Sequence, residues 1–293
     1  MIPVYHAITG RLAQPIRDAL AKEIPGIGRV WLVREHRCGL TPKMYKDGDK
    51  WIPINGGSLL SPEWSIARHL KQVERYLGYE TGSDFVPPTV NGAPFYGLIC
   101  IDSEAYFPRL EDTRIDAKRQ HTQLFADGAG HDFDGAASHA LSTYFTSFAD
   151  QVKLCRPKAM VGFYGLPTWR DGSLTDAVER RVDVTFPCAY TSTKDAYETA
   201  KDRVARAKRE APTKPAIAFV CPFREVDGLP PLTAAEFKAQ CDGARAGGAD
   251  GLCMWWNADD TTGLTKFIGQ MQTIKAAIAL MTAERVAALR GEG

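Results

Sequence analysis

Two carboxylates close an apolar run in the segment Gly97-Leu98-Ile99-Cys100-Ile101-Asp102-Ser103-Glu104. Nothing polar interrupts Leu98 to Ile101, so the run reads as a fully buried strand with Asp102 and Glu104 at its C-terminal end. Side chains alternate along a strand, which puts both acids on one side and within reach of one bound substrate. Two neighbouring carboxylates cannot both ionise freely. Repulsion and partial burial raise the pKa of one, which is what a general acid working near neutral pH requires. An isolated acid pair also serves as a helix cap or as half of two surface ion pairs, so its place in the fold decides between these roles. Metal chemistry is not expected. The six histidines have no H-E-x-x-H or similar spacing, there is no C-x-x-C pair, and Asp132, Asp134 and Gly135 are a calcium-loop fragment without its remaining ligands. No cofactor is expected either.

The elements that must carry these acids alternate along the whole chain. Strands are expected at Ile2 to Ile8, Arg29 to Val33, Gly97 to Ile101, Ala159 to Tyr164, Asp183 to Pro187, Ala216 to Cys221 and Gly251 to Trp255. Helical patterns lie at about Gln14 to Lys22, Pro62 to Leu77, Gly135 to Leu154, Leu174 to Arg181, Ala196 to Glu210, Ala234 to Ala246 and Thr265 to Leu289. This is the pattern of repeated βα units: an α/β chain forming a single distorted TIM-like (β/α) barrel of seven or eight parallel strands, one domain over residues 1–293. The stretch His36 to Gly57 reads as a long irregular βα loop over the active face. A parallel barrel presents its chemistry at the C-terminal strand ends. There the sequence supplies Asp102 and Glu104, then Tyr164, Tyr190, Arg224 and Glu225, Trp255 and Asn257. Aromatics around a carboxylate pair suit a sugar, whose apolar faces stack on rings while its hydroxyls need polar partners. Trp255 and Trp256 are adjacent, so one faces the barrel mouth and the other the helical layer.

Bulk composition narrows the field. Thirty-six Lys and Arg against 35 Asp and Glu leave a net charge of +1, so no global field argues for nucleic acid or an anionic membrane, and neither is an expected partner. The basic run Lys201 to Arg209 has helical spacing and reads as a solvated helix face; Arg224 and Glu225 read as a surface ion pair. A phosphate-metabolising barrel would want a glycine-rich cradle after the last strands, whereas Trp256-Asn257-Ala258-Asp259-Asp260 is acidic and glycine-poor. No secretion signal or bilayer-spanning run is visible. Of seven cysteines, Cys100, Cys188, Cys221 and Cys253 fall on expected buried strands and read as small apolar core residues of a reduced protein. Cytoplasmic synthesis is therefore expected, with action on external glycans by another release route left open, as is the oligomeric state.

The blocks together resemble glycoside hydrolase family 56, the hyaluronidases of animals and venoms. Asp102-Ser103-Glu104-Ala105-Tyr106-Phe107-Pro108 resembles that family's D-W-E-x-W-R-P, and Gly162-Phe163-Tyr164-Gly165-Leu166-Pro167 is nearly its G-F-Y-G-F-P. Phe186-Pro187-Cys188-Ala189-Tyr190 resembles Y-P-S-x-Y, Gly248-Ala249-Asp250-Gly251 through Trp255 resembles G-A-A-G-x-x-x-W, and Gly56-Gly57 matches a G-G loop. The resemblance implies a retaining, substrate-assisted hydrolysis of an N-acetylhexosamine-containing polysaccharide, in which the substrate's acetamido carbonyl attacks the anomeric carbon. It implies Glu104 as general acid and base with Asp102 as its partner, Tyr190 and Tyr164 around the acetamido group, and Trp255 as the floor of the sugar subsite. Asn257, Tyr45 and Tyr106 carry over as further substrate-binding positions. Ser103 and Tyr106-Phe107 depart from the family's W and W-R, and the run Thr168-Trp169-Arg170-Asp171-Gly172 after Pro167 has no cysteine to match the family's disulfides. These departures leave open which polysaccharide is cleaved. They also motivate an alternative, a non-catalytic carbohydrate-binding or structural protein on the same barrel.

Overall fold

The computed structural model describes residues 2–34, 44–47, 50–53, 66–79, 86–90, 93–102, 133–165, 178–190, 195–224 and 230–279. In chain order the elements are β1 (Val4–Thr9), α1 (Ala13–Glu23), β2 (Gly28–Arg34), β3 (Met44–Asp47), β4 (Lys50–Pro53), α2 (Ile66–Tyr79), β5 (Thr89–Val90), β6 (Ala93–Pro94), β7 (Leu98–Asp102), α3 (Phe133–Cys155), β8 (Met160–Phe163), α4 (Ala196–Glu210), β9 (Ile217–Val220), α5 (Ala234–Ala246), β10 (Gly251–Asn257) and α6 (Thr261–Gly269). A last helix occupies 271–279. The chain divides into two compact units, one gathering the described residues of Met1–Leu32 and Val184–Gly293, the other those of Val33–Thr81 and Phe85–Asp183.

In the first unit β1 pairs in parallel with β10 and β2, and β10 with β9, giving the order β2-β1-β10-β9. Helix α1 buries Ala13, Ile16, Arg17 and Leu20, one helical face. Its Ile16 and Leu20 join Ile8, Ala218, Val220, Leu252 and Met254 from the strands and Phe237, Cys241 and Phe267 from α5 and α6 in one core. Burial of each large side chain contributes about 1.5–3 kcal/mol. Local signals set the helix starts: Asp195 accepts from the Glu198 amide, Asp260 from that of Gly263, and Thr233 with Glu236 forms a capping box. Helices α4 and α5 meet at Gly243, where an added Cβ would lie 2.1 Å from the Tyr197 carbonyl oxygen, so no larger residue fits.

In the second unit β7 pairs in parallel with β8, and the end of β2 continues the order as β8-β7-β2. Phe163 at the end of β8 meets Phe145 of α3 edge-on, ring centroids 5.1 Å apart, and His69 of α2 meets Phe148 in the same way at 4.8 Å. Arg156 is buried and donates to the carbonyls of Leu77, Val86, Pro87 and Cys155, tying the end of α3 to α2 and to the segment before β5. Burial lowers its pKa.

Several expectations are corrected. Asp183 to Pro187 is not a strand but two parallel bridges, Thr185 to Ala216 and Cys188 to Phe219. Thr185 donates to Pro215 O, Ile217 to Thr185 O, Phe219 to Pro187 O and Ala189 to Phe219 O, and the missing rung is the one that the Pro187 nitrogen has no hydrogen to make. The stretch His36 to Gly57 is not wholly irregular, since β3 and β4 form an antiparallel hairpin with Asp47 opposite Lys50. Thr265 to Leu289 is not one helix: α6 ends at Gly269, a new helix starts at Met271, and residues after 279 lie outside the described ones. Of Leu174 to Arg181, 174–177 lie outside the described residues, and Val178 and Glu179 are helical.

Among the described residues no helix is long and apolar enough to cross a membrane, and no group of three or more His, Cys, Asp or Glu could hold a metal ion. Cys100, Cys188, Cys221, Cys241 and Cys253 are buried free thiols and Cys155 is a half-buried one. Burial pushes the Cys241 thiol up to about 12 and that of Cys253 well above its ordinary value.

Candidate active site

The second unit holds Asp102 and Tyr164. Asp102 is the last residue of β7, and Tyr164 follows β8 directly, its backbone N–H donating to Ile101 O at 3.0 Å. Ile101 lies opposite Phe163, so Asp102 and Tyr164 come next in register and leave the sheet on the same face. Tyr164 is buried, and Gly165 turns the chain with φ 72°. The partner of Asp102 on its other flank is Arg34, the last residue of β2, with Nε 3.7 Å from Asp102 Oδ2. Glu104 and Tyr106 lie outside the described residues. Tyr45 sits on β3 opposite Ile52 of β4, and its side chain lies outside the described ones.

The first unit holds Tyr190, Trp255 and Asn257. Tyr190 and Trp255 lie nearly parallel, ring centroids 6.0 Å apart and planes 9° apart. Both are half-buried, so an apolar surface remains open to a ligand. Tyr190 is held from behind by Arg203 of α4, whose guanidinium donates to the Tyr190 carbonyl at 2.6 Å and to Cys188 Sγ at 3.5 Å. Trp256 points the other way: its ring stacks on Phe223 at 4.1 Å, and its indole N–H donates to Gly263 O of α6. Asn257 closes β10 with its amide fixed at both ends, Nδ2 donating to Asp259 Oδ2 at 2.7 Å and Oδ1 accepting from Thr9 Oγ1 at 3.4 Å. The loop after β1 and the loop after β10 are laced together, since Ala258 N donates to Thr9 O, Leu12 N to Ala258 O, and Arg11 to Asp259 O.

The structure therefore brings Tyr190, Trp255 and Asn257 together in one unit and Asp102 with Tyr164 in the other. Asp102 and Asn257 end their strands, Tyr164 follows β8 directly, Trp255 lies two residues before the end of β10, and Tyr190 follows the bridged segment at Cys188; the C-terminal edge is the one from which a parallel sheet presents side chains to a ligand. Residues that the sequence reading did not single out join them: Thr9 and Arg34, which end β1 and β2, and Arg203 and Asp259, which orient their neighbours. Thr9 and Arg34 could have been found by applying the strand-end rule to the first two strands as well. Arg203 carries no such signal, because it lies inside the basic run read as a helix face. In that run Lys201 pairs with Glu198, Arg206 with Glu210 and Lys208 with Asp250, while Arg203 turns inward. Arg224 is paired with Glu236 of the capping box. The Thr233 backbone N–H, and then Arg224, hold the Glu236 carboxyl below its ordinary range. Glu225 lies outside the described residues.

No protein-family profile matches the chain, and no curated protein matches it in sequence. Solved structures do. Bee venom hyaluronidase in complex with a hyaluronic acid tetramer is similar over 95% of this chain and 98% of its own, with a TM-score of 0.72 and 16% identity. A monoclinic crystal form of bee venom hyaluronidase gives a TM-score of 0.68 at 14% identity, over 94% of this chain and 100% of its own. The β-galactosidase of the psychrophilic Marinomonas ef1 is similar over 100% of this chain and 61% of its own, with a TM-score of 0.52 and 10% identity. At such identities the likeness is one of fold: a TIM-like (β/α) barrel, hyaluronidase-like in form, of a kind on which glycoside hydrolases are built.

Proposed function

We propose that this chain is a retaining, substrate-assisted glycoside hydrolase, a single catalytic domain that cleaves an N-acetylhexosamine-containing polysaccharide. The observation that carries the reading is the end-to-end likeness to a hyaluronidase solved with a hyaluronic acid tetramer, 95% of this chain on 98% of that one. The placement of Asp102 and Tyr164 at adjacent strand ends, and the parallel stacking of Tyr190 on Trp255, support it.

In this mechanism Glu104 protonates the glycosidic oxygen as the acetamido carbonyl oxygen closes on the anomeric carbon and the bond to the leaving sugar breaks. Water then attacks the same carbon from the vacated face as the bond to the acetamido oxygen breaks, and gives its proton to the Glu104 carboxylate, which restores the acid, regenerates the acetamido group and retains the β configuration. Asp102 is the partner of Glu104, sharing a proton with it and helping to raise its pKa. Tyr164 and Tyr190 hold the acetamido group, and the indole of Trp255 carries the sugar's apolar face with Asn257 at its rim.

The test is Glu104→Gln assayed for new reducing ends on hyaluronan and chondroitin. A loss of at least about 10²-fold in kcat with oligosaccharide binding retained is expected, since shape and stacking survive while the proton donor does not. Near-normal turnover in that variant would overturn the assignment. Wild-type protein that binds polysaccharide and releases no reducing ends is a carbohydrate-binding protein instead.

A further inference from the structure

One cation of the basic run on α4 turns onto the chain that carries Tyr190, while Lys201, Arg206 and Lys208 pair with acids. Building on the glycosidase reading, we infer that Arg203 is a positioning residue for the proposed reaction: by holding the Tyr190 carbonyl it sets the Tyr190 ring against Trp255. Its Nη1 donates to Tyr190 O at 2.6 Å and to Cys188 Sγ at 3.5 Å, and the Cys188 thiol donates to the same carbonyl at 3.9 Å. One guanidinium nitrogen thus spans both ends of the Cys188-Ala189-Tyr190 segment. A charged donor makes a stronger bond to a carbonyl than a neutral one does.

The position of this contact along the chain gives it its effect. The segment bridges to Ala216 at Thr185 and to Phe219 at Cys188, Pro187 has no N–H to add a rung, and the Ala189 N–H donates to Phe219 O. Tyr190 comes next, and Arg203 takes up its carbonyl from the opposite side. Helix α4 is itself a firm support, since Ala200 and Val204, which flank Arg203 on the helix, are buried in the core. Hydrogen bonds before and after the Tyr190 side chain restrict its backbone, and the backbone decides the direction of Cβ and the rotamers open to the ring. The outcome is a Tyr190 ring 9° from parallel to that of Trp255 at 6.0 Å. Arg203 moves no proton and touches no sugar; it acts through Tyr190.

Arg203→Met keeps an apolar stem and removes the donors, and Arg203→Lys keeps a charged donor. Both are compared with the wild type, alone and in a Tyr190→Leu background. The first readout needs no ligand: the indole ¹H–¹⁵N signal of Trp255, assigned through Trp255→Phe. It is expected to shift in Arg203→Met, to return most of the way in Arg203→Lys, and to move no further when Arg203→Met is added to Tyr190→Leu. An unmoved signal in Arg203→Met, or shifts that add in full, overturn the inference whether or not the protein cleaves a polymer. The second readout is turnover of hyaluronan. Arg203→Met is expected to lose about tenfold in kcat/KM, but less than about twofold in the Tyr190→Leu background, where nothing is left to position. Equal losses in both backgrounds overturn the inference. If Glu104→Gln is inactive while Arg203→Met is normal, only the role of Arg203 fails; if the wild type releases no reducing ends, the glycosidase reading fails and the indole signal alone decides whether Arg203 positions Tyr190. Should Arg203→Met not fold, Arg203→Gln carries the same comparisons.

Discussion

Adjacent residues in this chain do different work. Trp255 and Trp256 are the same side chain one position apart, yet one lies parallel to Tyr190 and the other is wedged between Phe223 and Phe267 with its indole N–H satisfied by Gly263. Their replacement by alanine should therefore separate binding from stability. Trp255→Ala is expected to weaken oligosaccharide binding about tenfold, the loss of one stacking surface, and to destabilise by about 1 kcal/mol, since the ring packs only partly against the core. Trp256→Ala is expected to destabilise by about 3 kcal/mol, because it removes a large packed ring and strands a backbone carbonyl. Equal effects of the two variants on binding would show that the subsite is placed on the wrong ring. Asn257 follows them and is held at both ends of its amide, which fixes its orientation.

At the scale of elements, the first and last βα connections of the first unit act as one piece. Gly10 makes this possible. Its φ is +103°, and an added Cβ would stand 2.5 Å from the carbonyl carbon of Ala258, so both the backbone conformation and the space demand glycine. Gly10→Ala should cost about 2–3 kcal/mol in equilibrium unfolding and weaken oligosaccharide binding as well, since Asn257 and the chain at Ala258 must shift together. A destabilised variant with wild-type affinity would show that the lacing serves the fold alone. The Pro187 interruption belongs to the same scale. By removing one rung, it leaves the chain from Thr185 to Tyr190 hydrogen-bonded on both sides of the gap, and Arg203 fastens the far side at the Tyr190 carbonyl.

For the molecule as a whole, acid is the weak side. His6 of β1 is buried, and burial first, then the charges of Arg29 on β2 and Arg17 on α1, lower its pKa from 6.5 to about 4. The folded chain thus keeps His6 neutral where the unfolded chain protonates it. Its contribution is fully present above about pH 6.5 and is lost progressively as pH falls to about 4. At about 1.4 kcal/mol per pH unit the loss from this one group amounts to about 3 kcal/mol. Urea unfolding at a series of pH values should show stability falling between those limits in the wild type and a shallower fall in His6→Gln. Identical slopes would remove His6 as the source.

Much of this organisation is legible in the residues alone. The alternation of β-branched runs with amphipathic segments places α4 and α5 at the positions found, because Asp195 and the Thr233 and Glu236 pair mark their starts and small apolar residues recur along one face. The unbroken run from Leu98 to Ile101 is a buried strand because nothing polar in it can face water, and the strand-end rule then points to Asp102, Tyr164 and Asn257. The single reading of Thr265 to Leu289 as one helix goes wrong because apolar periodicity continues across Gln270, although the backbone turn does not.

The sequence by itself determined most of the strands and helices, and that Asp102, Tyr164 and Asn257 stand at strand ends, since these follow from local periodicity, capping and the alternation of side chains. Only the tertiary structure decided that Arg34 lies beside Asp102, that Arg203 reaches the Tyr190 carbonyl, and that Thr9 shares a hydrogen bond with Asn257. Those contacts join residues 68, 13 and 248 positions apart. Electrostatic and hydrogen-bonding energies depend on separation in space at the scale of a few ångströms, and the order of residues along a chain carries no record of that distance until the strands have paired.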